Sequence, residues 1–327
     1  MAKAWHLMRR PEGMPVSDNF ALKELTLPEL GDGMVHVRNH YLSVDPYMRG
    51  RMNDVKSYVP PFALDAPMEG GAVGEVVASN DPGFAAGDKV LHMSGWRDEA
   101  VVPAKALFKL PEAGVDEREF LGNMGLTGGT AYFGLLDAAA ATAADTVFVS
   151  AAAGAVGSAV VQIAKAKGMT VIGSARGPAK CDFVRSLGAD AAIDYTAGPL
   201  VKSLRDAAPD GIDVYFDNVG GDHLDAALAL ARQNARFAIC GMIDGYNGKP
   251  TNLRFLMRLI GMRVTMRGFI YTDYLPRVAE FHRDMAGWLA SGAVKSRDTV
   301  VEGLDHTPDA FLGLFSGKNT GKMLVKV

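Results

Sequence analysis

The chain has 327 residues, 48% of them hydrophobic, and a formal net charge of −3, enough apolar material for the cores of two domains. That balance, with no long basic run, argues against a nucleic-acid partner. The only two cysteines, Cys181 and Cys240, exclude a disulfide framework and a four-cysteine zinc site. No stretch reaches about 18 uninterrupted apolar residues and the N-terminal MAKAWHLMRRPEG lacks the apolar segment of a signal peptide. A soluble, cytoplasmic protein with no membrane partner is therefore expected.

Residues 1 to about 120 read as short strands broken by Gly and Pro. Val35–Asn39 and Gly71–Val77 alternate, Asp81-Pro82-Gly83 and Ala86-Gly87-Asp88 read as turns, and the second turn leads into a strand at Lys89–His92. From about Phe120 strand and helix alternate. The Ala-rich connector Ala138–Ala144 predicts a helix and turn. Strands are expected at Thr146–Ser150, Thr170–Ser174, Asp190–Tyr195, Asp213–Asp217, Arg236–Cys240 and Arg263–Phe269. Between them, helical spacing covers Val156–Ala164 up to Gly168, Leu200–Ala207, Asp222–Ala231 and, after the last strand, Leu275–Ser291. Six strands separated by helices imply a doubly wound parallel sheet. After Gly292 the extended segments Asp298–Gly303 and Lys322–Val327 return the chain to its first domain. The expected fold is α/β: a Rossmann domain over 121–291, inserted into a β-rich domain formed by 1–120 and completed by 292–327.

The turn after the first strand of the second domain carries Ala152-x-Gly154-x-x-Gly157, one substitution from G-x-G-x-x-G. Between a strand and a helix, such a turn lets the backbone approach a pyrophosphate, and the helix N-terminus supplies amide donors and partial positive charge. An NAD site places an acid about 20 residues beyond the glycines, on the ribose hydroxyls. Here that place holds Ser174-Ala175-Arg176-Gly177-Pro178-Ala179-Lys180, with no carboxylate. One hydroxyl and two cations suit a 2′-phosphate, so NADP(H) is the expected cofactor.

Several stretches resemble one family. They include Leu42–Met52 (LSVDPYMRGRM), Ser94-Gly95-Trp96, Thr130–Leu135 (TAYFGL), Tyr215–Gly221 (YFDNVGG), Cys240–Ile243, Tyr246-Asn247, Gly268–Ile270 and Gly317–Lys322 (GKNTGK). Together they are similar to the zinc-independent alkenal/one oxidoreductases of the medium-chain dehydrogenase/reductase superfamily, which embraces leukotriene B4 12-hydroxydehydrogenase, prostaglandin reductases and curcumin reductase. The resemblance implies that the β-rich domain is GroES-like and catalytic. It implies NADPH-dependent reduction of the carbon–carbon double bond of an enone or enal. It further implies a homodimer joined through sheet edges.

Carried over residue by residue, the resemblance places Tyr246 at the substrate oxygen as hydrogen-bond donor and Tyr47 facing cofactor and substrate. It places Ala152, Gly154 and Gly157 at the pyrophosphate, and Lys180 with Arg176 at the 2′-phosphate, where the residue pattern also puts the Ser174 hydroxyl. Tyr195 would lie beside the adenosine ribose, Asn218 over the cofactor cleft, Phe269 by the carboxamide, and Asn319 where the tail meets the cofactor. Two departures from the family pattern stand out: Arg176 where relatives often have Gly, and Leu126-Thr127-Gly128-Gly129 in place of a Met-Pro-Gly sequence. No metal is expected, because the first 180 residues lack cysteine and the seven histidines form no ligand-like cluster. Two other readings stay open at this point: an NADPH:quinone oxidoreductase, and a non-catalytic NADPH-binding protein. The physiological substrate is not written in these motifs.

Overall fold

A computed structural model describes residues 1–111 and 114–327. The chain divides into two compact units, Met1–Leu121 with Asp298–Val327, and Gly122–Arg297.

In the first unit β1 (Ala2–Leu7) pairs antiparallel with β2 (Phe20–Leu25). The long strand β3 (Met34–Ser43) is followed by a single helical turn, α1 (Met48–Arg51). Then come β4 (Ala72–Ser79), β5 (Lys89–His92), β6 (Glu99–Pro103) and the short β7 (Phe108–Lys109). Antiparallel neighbours joined by turns need no helical crossover, which is why the Asp81 and Gly87 turns suffice here. Asp81 accepts the Gly83 amide at 2.8 Å, and Gly87 takes φ +94°, a conformation open to a residue without Cβ.

In the second unit the strands are β8 (Thr146–Val149), β9 (Thr170–Ala175), β10 (Ala191–Asp194), β11 (Ile212–Asp217), β12 (Ala231–Ile239) and β13 (Thr265–Gly268). The helices are α2 (Leu126–Phe133), α3 (Ala155–Ala166), α4 (Pro178–Ser186), α5 (Leu200–Ala207), α6 (Gly221–Leu230), α7 (Arg258–Met262) and α8 (Val278–Ser291). The sheet order is β10-β9-β8-β11-β12-β13, with every pair parallel. The order reverses between β8 and β11, so the crevice at their carboxyl ends is the topological switch point where such sheets bind ligands. Phe148 stacks on Tyr215 at 5.2 Å and Tyr215 meets the edge of Phe237 at 5.3 Å. All three rings are fully buried or nearly so, each such contact adding about 0.5–1.5 kcal/mol beyond area burial.

The tail adds β14 (Asp298–Glu302), α9 (Thr307–Phe315) and β15 (Lys322–Lys326) to the first unit, giving the order β14-β15-β3-β4-β5-β7 with β6 on β3. The fold is thus α/β, with a parallel Rossmann sheet and a separate β-rich unit. The helices α4 and α9 go beyond the sequence reading, and other differences lie at element ends. The helix expected from Leu275 begins at Val278, because Pro276 has no amide to donate and Tyr271–Arg277 forms a 3-10 turn instead. Strand β12 starts five residues before the expected Arg236, straight after α6. The Leu126–Gly129 stretch, where the chain departs from the pattern it resembles, is helical, and Thr127 Oγ1 donates to the Gly122 carbonyl at 2.9 Å.

Candidate nucleotide site and tyrosine loop

Strand β8 runs into Ser150, and the chain turns through Ala151 (φ +48°) into α3. The helix has Gly154 as N-cap and no side-chain cap, so its first-turn amides present an uncompensated positive end. A Cβ on Gly157 would overlap the Ala151 carbonyl oxygen, so the turn folds against the helix only with glycine there. Ala152, which replaces the first glycine of the fingerprint, donates its amide to the Ser174 carbonyl at 2.9 Å. A Cβ on the facing Gly173 would lie 2.7 Å from the Ala152 methyl. Glycine at that strand position makes room for the alanine in the turn.

Beyond β9, Arg176 is exposed and Lys180 half-buried, on either side of the N-terminus of α4. Burial and the neighbouring Arg176 charge push the Lys180 ammonium below its ordinary value. Tyr195, just past β10, holds Arg176 from the other side: Arg176 Nε donates to its hydroxyl at 3.2 Å, and the guanidinium lies 5.9 Å over its ring. Two cations thus sit close enough to repel each other. A bound dianion relieves that repulsion. The open α3 N-terminus with this cation pair fits the two phosphate groups of NADP(H). Asp194 is adjacent, but its carboxylate is turned onto the Gly177 amide at 2.9 Å and onto Thr196. Ser174, expected among the phosphate contacts, is fully buried with its hydroxyl 3.5 Å from the Val149 carbonyl. It presents no surface to a ligand.

Across the switch point, Asn218 follows β11 and donates its amide to Ser150 Oγ at 2.9 Å and its side-chain Nδ2 to the Ser150 carbonyl at 2.8 Å. The loop after β12 lies alongside. Cys240 and Gly241 amides both reach the Asp217 carbonyl at 3.0 Å, and a 3-10 turn at Ile243–Gly245 delivers Tyr246. A Cβ on Gly241 would come 3.0 Å from the Tyr246 hydroxyl oxygen and 3.7 Å from the Asn218 carbonyl oxygen. The Tyr246 hydroxyl therefore rests over Gly241 at the carboxyl edge of the sheet. Burial pushes the Cys240 thiol up to about 12, with the Asp217 carboxyl adding to it, so it is no nucleophile at neutral pH.

Phe269 is buried, its ring edge-on to Phe216 at 6.1 Å. In the first unit, Tyr47 opens α1 and is half-buried. Burial, then the nearby Asp45 charge, pushes its phenol above the ordinary range, so it stays a hydrogen-bond donor at neutral pH. Asp45 is itself held by Lys322 Nζ at 2.7 Å and by the Ser43 hydroxyl. Asn319 closes its own turn, Nδ2 donating to the Gly321 carbonyl at 2.8 Å. Among the described residues no group of three or more His, Cys, Asp or Glu is arranged to hold a metal, and no helix is long and apolar enough to cross a membrane. Sequence reasoning missed Ser150 and Asp217, the buried pair beneath the site. The signal was an aspartate ending a strand before Asn-Val-Gly-Gly, a pattern in which the side chain accepts from the amides that follow.

The family described as "N-terminal domain of oxidoreductase" matches residues 3–110, and that described as "Zinc-binding dehydrogenase" matches residues 155–291. The chain is 41% identical over 333 residues to the NADPH-dependent curcumin reductase of Escherichia coli, covering 99% of this chain and 96% of that one. It is 40% identical over 324 residues to the NADP(+)-dependent 2-alkenal reductase of Nicotiana tabacum, covering 96% and 94%. The crystal structure of CurA from Vibrio vulnificus in complex with NADPH superposes with a TM-score of 0.94 at 43% identity, covering 99% of both chains. With a cation pair instead of an acid beyond β9, a small-residue turn at α3 and full-length relatives of this similarity, the chain belongs to the zinc-independent medium-chain dehydrogenase/reductase family as an NADP-dependent oxidoreductase.

Proposed function

We propose that this protein reduces the carbon–carbon double bond of α,β-unsaturated ketones and aldehydes with NADPH, and that Tyr246 stabilises the enolate formed on the way. The observation that carries the reading is the seat of the Tyr246 hydroxyl over Gly241, at the carboxyl edge of the sheet beside Asn218. The names of the curcumin and 2-alkenal reductase relatives support the substrate class. When bound, the dihydronicotinamide supplies a hydride to the substrate β-carbon. Negative charge then gathers on the carbonyl oxygen, and a neutral phenol donating there stabilises the transition state more than the ground state. The α-carbon takes a proton to complete the reduction. The scheme needs neither metal nor nucleophile.

Ala152, Gly154 and Gly157 are assigned to the pyrophosphate, Arg176 and Lys180 to the 2′-phosphate, and Tyr195 to the adenosine side. Asn218 and Phe269 are assigned to the nicotinamide side, Asn319 to the cofactor, and Tyr47 as the second phenol of the reaction. Ser174 is assigned to the turn through its carbonyl, which accepts from Ala152. The residues 121–291 form the cofactor domain in this reading, and 1–120 with 292–327 the GroES-like substrate domain. A homodimer is proposed through β13. That strand ends the sheet order, and Met257 and Ile260 beside it are 75% and 72% exposed. Unpaired edges of this kind call for a cover.

The test is NADPH oxidation with 4-hydroxynonenal, 3-nonen-2-one, curcumin and a benzoquinone, repeated with NADH. Saturated ketone or aldehyde product with NADPH preference is expected. Turnover of the quinone alone would replace this reading with quinone reduction. Tyr246→Phe is expected to lower kcat for the enones about 10- to 100-fold, and an unchanged kcat would remove Tyr246 from the mechanism.

A further inference from the structure

We propose that the buried carboxyl of Asp217 is the positioning residue that ties the phosphate turn to the Tyr246 loop, so that occupancy of the turn orders the loop. The inference rests on assigning the α3 turn to the cofactor, and goes beyond it by making that turn control the catalytic tyrosine.

Asp217 ends β11 and is fully buried. Its Oδ1 accepts from the Val219 amide at 2.9 Å, the Gly220 amide at 2.7 Å, the Tyr215 hydroxyl at 2.7 Å and Ser150 Oγ at 3.3 Å. Its Oδ2 has no hydrogen-bond partner, and burial raises the affinity of the carboxyl for a proton. A desolvated carboxyl with one orphan oxygen costs stability. The cost is offset by what its other oxygen fixes, the orientation of the peptides at Val219 and Gly220.

Those peptides carry the tyrosine loop. The Asp217 carbonyl accepts from Cys240 and Gly241 at 3.0 Å each, the Asn218 carbonyl from Ile243 at 3.4 Å, and the Val219 carbonyl from Asp244 at 3.1 Å. Three consecutive carbonyls thus hold the whole stretch that leads to Tyr246. On the opposite side the same residues carry the phosphate turn. Ser150 donates its amide to Phe216 at 3.2 Å, and accepts from Asn218 through both its hydroxyl and its carbonyl. Turning the Asn218 peptide breaks bonds on both sides at once. The two segments therefore share one hydrogen-bonded element, through which a change at one is felt at the other. The loop has only a single 3-10 turn of its own, so it sits at the low-stability end of the unit and opens locally unless held.

The test is amide hydrogen exchange of the whole protein with and without NADPH, read by mass spectrometry. In the wild type NADPH is expected to slow exchange over 152–157 directly and over 240–246 about tenfold through Asp217. In Asp217→Ala the slowing over 152–157 persists and that over 240–246 falls below about twofold, while kcat falls more than KM for NADPH. Asp217→Asn, which keeps an acceptor for the Val219 and Gly220 amides, restores most of the loop protection. If Asp217→Ala does not fold, Ser150→Ala decides, since it removes only the hydroxyl link and is expected to lose at least about half of the loop slowing. Full NADPH-dependent loop protection in whichever variant decides would overturn the inference. So would a uniform rise in exchange that includes β10 and α5, which marks a merely structural role. Absence of slowing over 152–157 in the wild type would instead remove the cofactor assignment, and the inference with it.

Discussion

The two tyrosines assigned to the reaction are held by opposite means. Tyr47 follows Asp45, whose carboxylate is buried with Lys322 at 2.7 Å and with the Ser43 hydroxyl, and whose carbonyl accepts the Met48 amide that starts α1. Buried charge sets its backbone. Tyr246 is reached through a run of backbone hydrogen bonds from the 217–219 segment and rests its hydroxyl over a glycine. A buried ion pair tolerates no loss of one partner, because the remaining charge is left desolvated. A backbone-held loop can open and re-form at modest cost. One anchor is rigid and the other conditional.

The most severe way to break this contrast is at the charged anchor. Lys322→Met should destabilise the β-rich unit by about 3–5 kcal/mol, since Asp45 stays buried without its cation. The double variant Asp45→Asn/Lys322→Met should recover most of that loss in urea unfolding, because removing both charges removes the desolvation cost. A double variant as weak as the single would mean that packing of the lysine stem, and not charge, holds the turn.

Acid separates the two units next. His92 in the first unit and His223 in the second are both held by burial at about 4, against an ordinary 6.5. A depressed histidine adds stability above its unfolded value and loses it as pH falls from about 6.5 towards 4. Each such loss is about 3 kcal/mol in full. In the first unit His40 works the other way. The Glu117 carboxylate 3.0 Å away raises it, so its contribution grows as pH falls through the unfolded value. In the second unit His282 is also lowered by burial and adds to the loss. Pulse proteolysis in urea at pH 7 and pH 5 should show fragments from residues 122–297 moving to lower urea more than those from 1–121. Equal movement would remove the His40 offset from the account.

How much of this was legible in the sequence depends on what carries the signal. The strand–turn–helix of Thr146–Gly168 was readable because small residues at fixed spacing and a run of β-branched residues are local patterns, and the sheet followed from the alternation behind it. The cation pair was readable as an absence of acid at a known distance. The burial of Ser174 was not legible, because strand alternation does not tell which side chains end up covered, and its hydroxyl lies inside the sheet 3.5 Å from the Val149 carbonyl. The interlock of Asp217 with Cys240 and Ser150 could not be read at all. It joins segments some 20 to 70 residues apart, on the Cys240 side by backbone bonds that any side chains would permit and on the Ser150 side by a hydroxyl–carboxyl contact that no local spacing marks.

The nucleotide turn combines both kinds of anchor, which sharpens the comparison. In the proposed assignment backbone amides serve the pyrophosphate, common to both nicotinamide cofactors, whereas the Arg176 and Lys180 side chains serve only the 2′-phosphate. Arg176→Ala or Lys180→Ala should therefore weaken NADPH binding about 10- to 100-fold, the strength of a charge-assisted contact, and leave NADH binding within about twofold. Calorimetric titration of each variant with both cofactors checks this. Parallel loss of NADH would mean that the cations shape the turn and do not read the phosphate.

The smallest expected effect falls on the conditional anchor and tests it most cleanly. Gly241→Ala adds one methyl group, at 3.0 Å from the Tyr246 hydroxyl oxygen, a contact that the tip of a loop side chain can relieve by moving a few tenths of an ångström. Gly241 needs no left-handed backbone, as it is absent from the positive-φ residues, so the fold should tolerate the change within about 1 kcal/mol. The hydroxyl cannot keep its seat, however, and a displacement of this size at a hydrogen-bond donor should lower kcat about tenfold with KM for NADPH unchanged. Combined with Tyr246→Phe, which has no hydroxyl to displace, the added methyl should cost little further activity. A full additional tenfold loss in the double variant would show that the methyl acts on the substrate or the loop backbone, and that Gly241 is not the seat of the phenol.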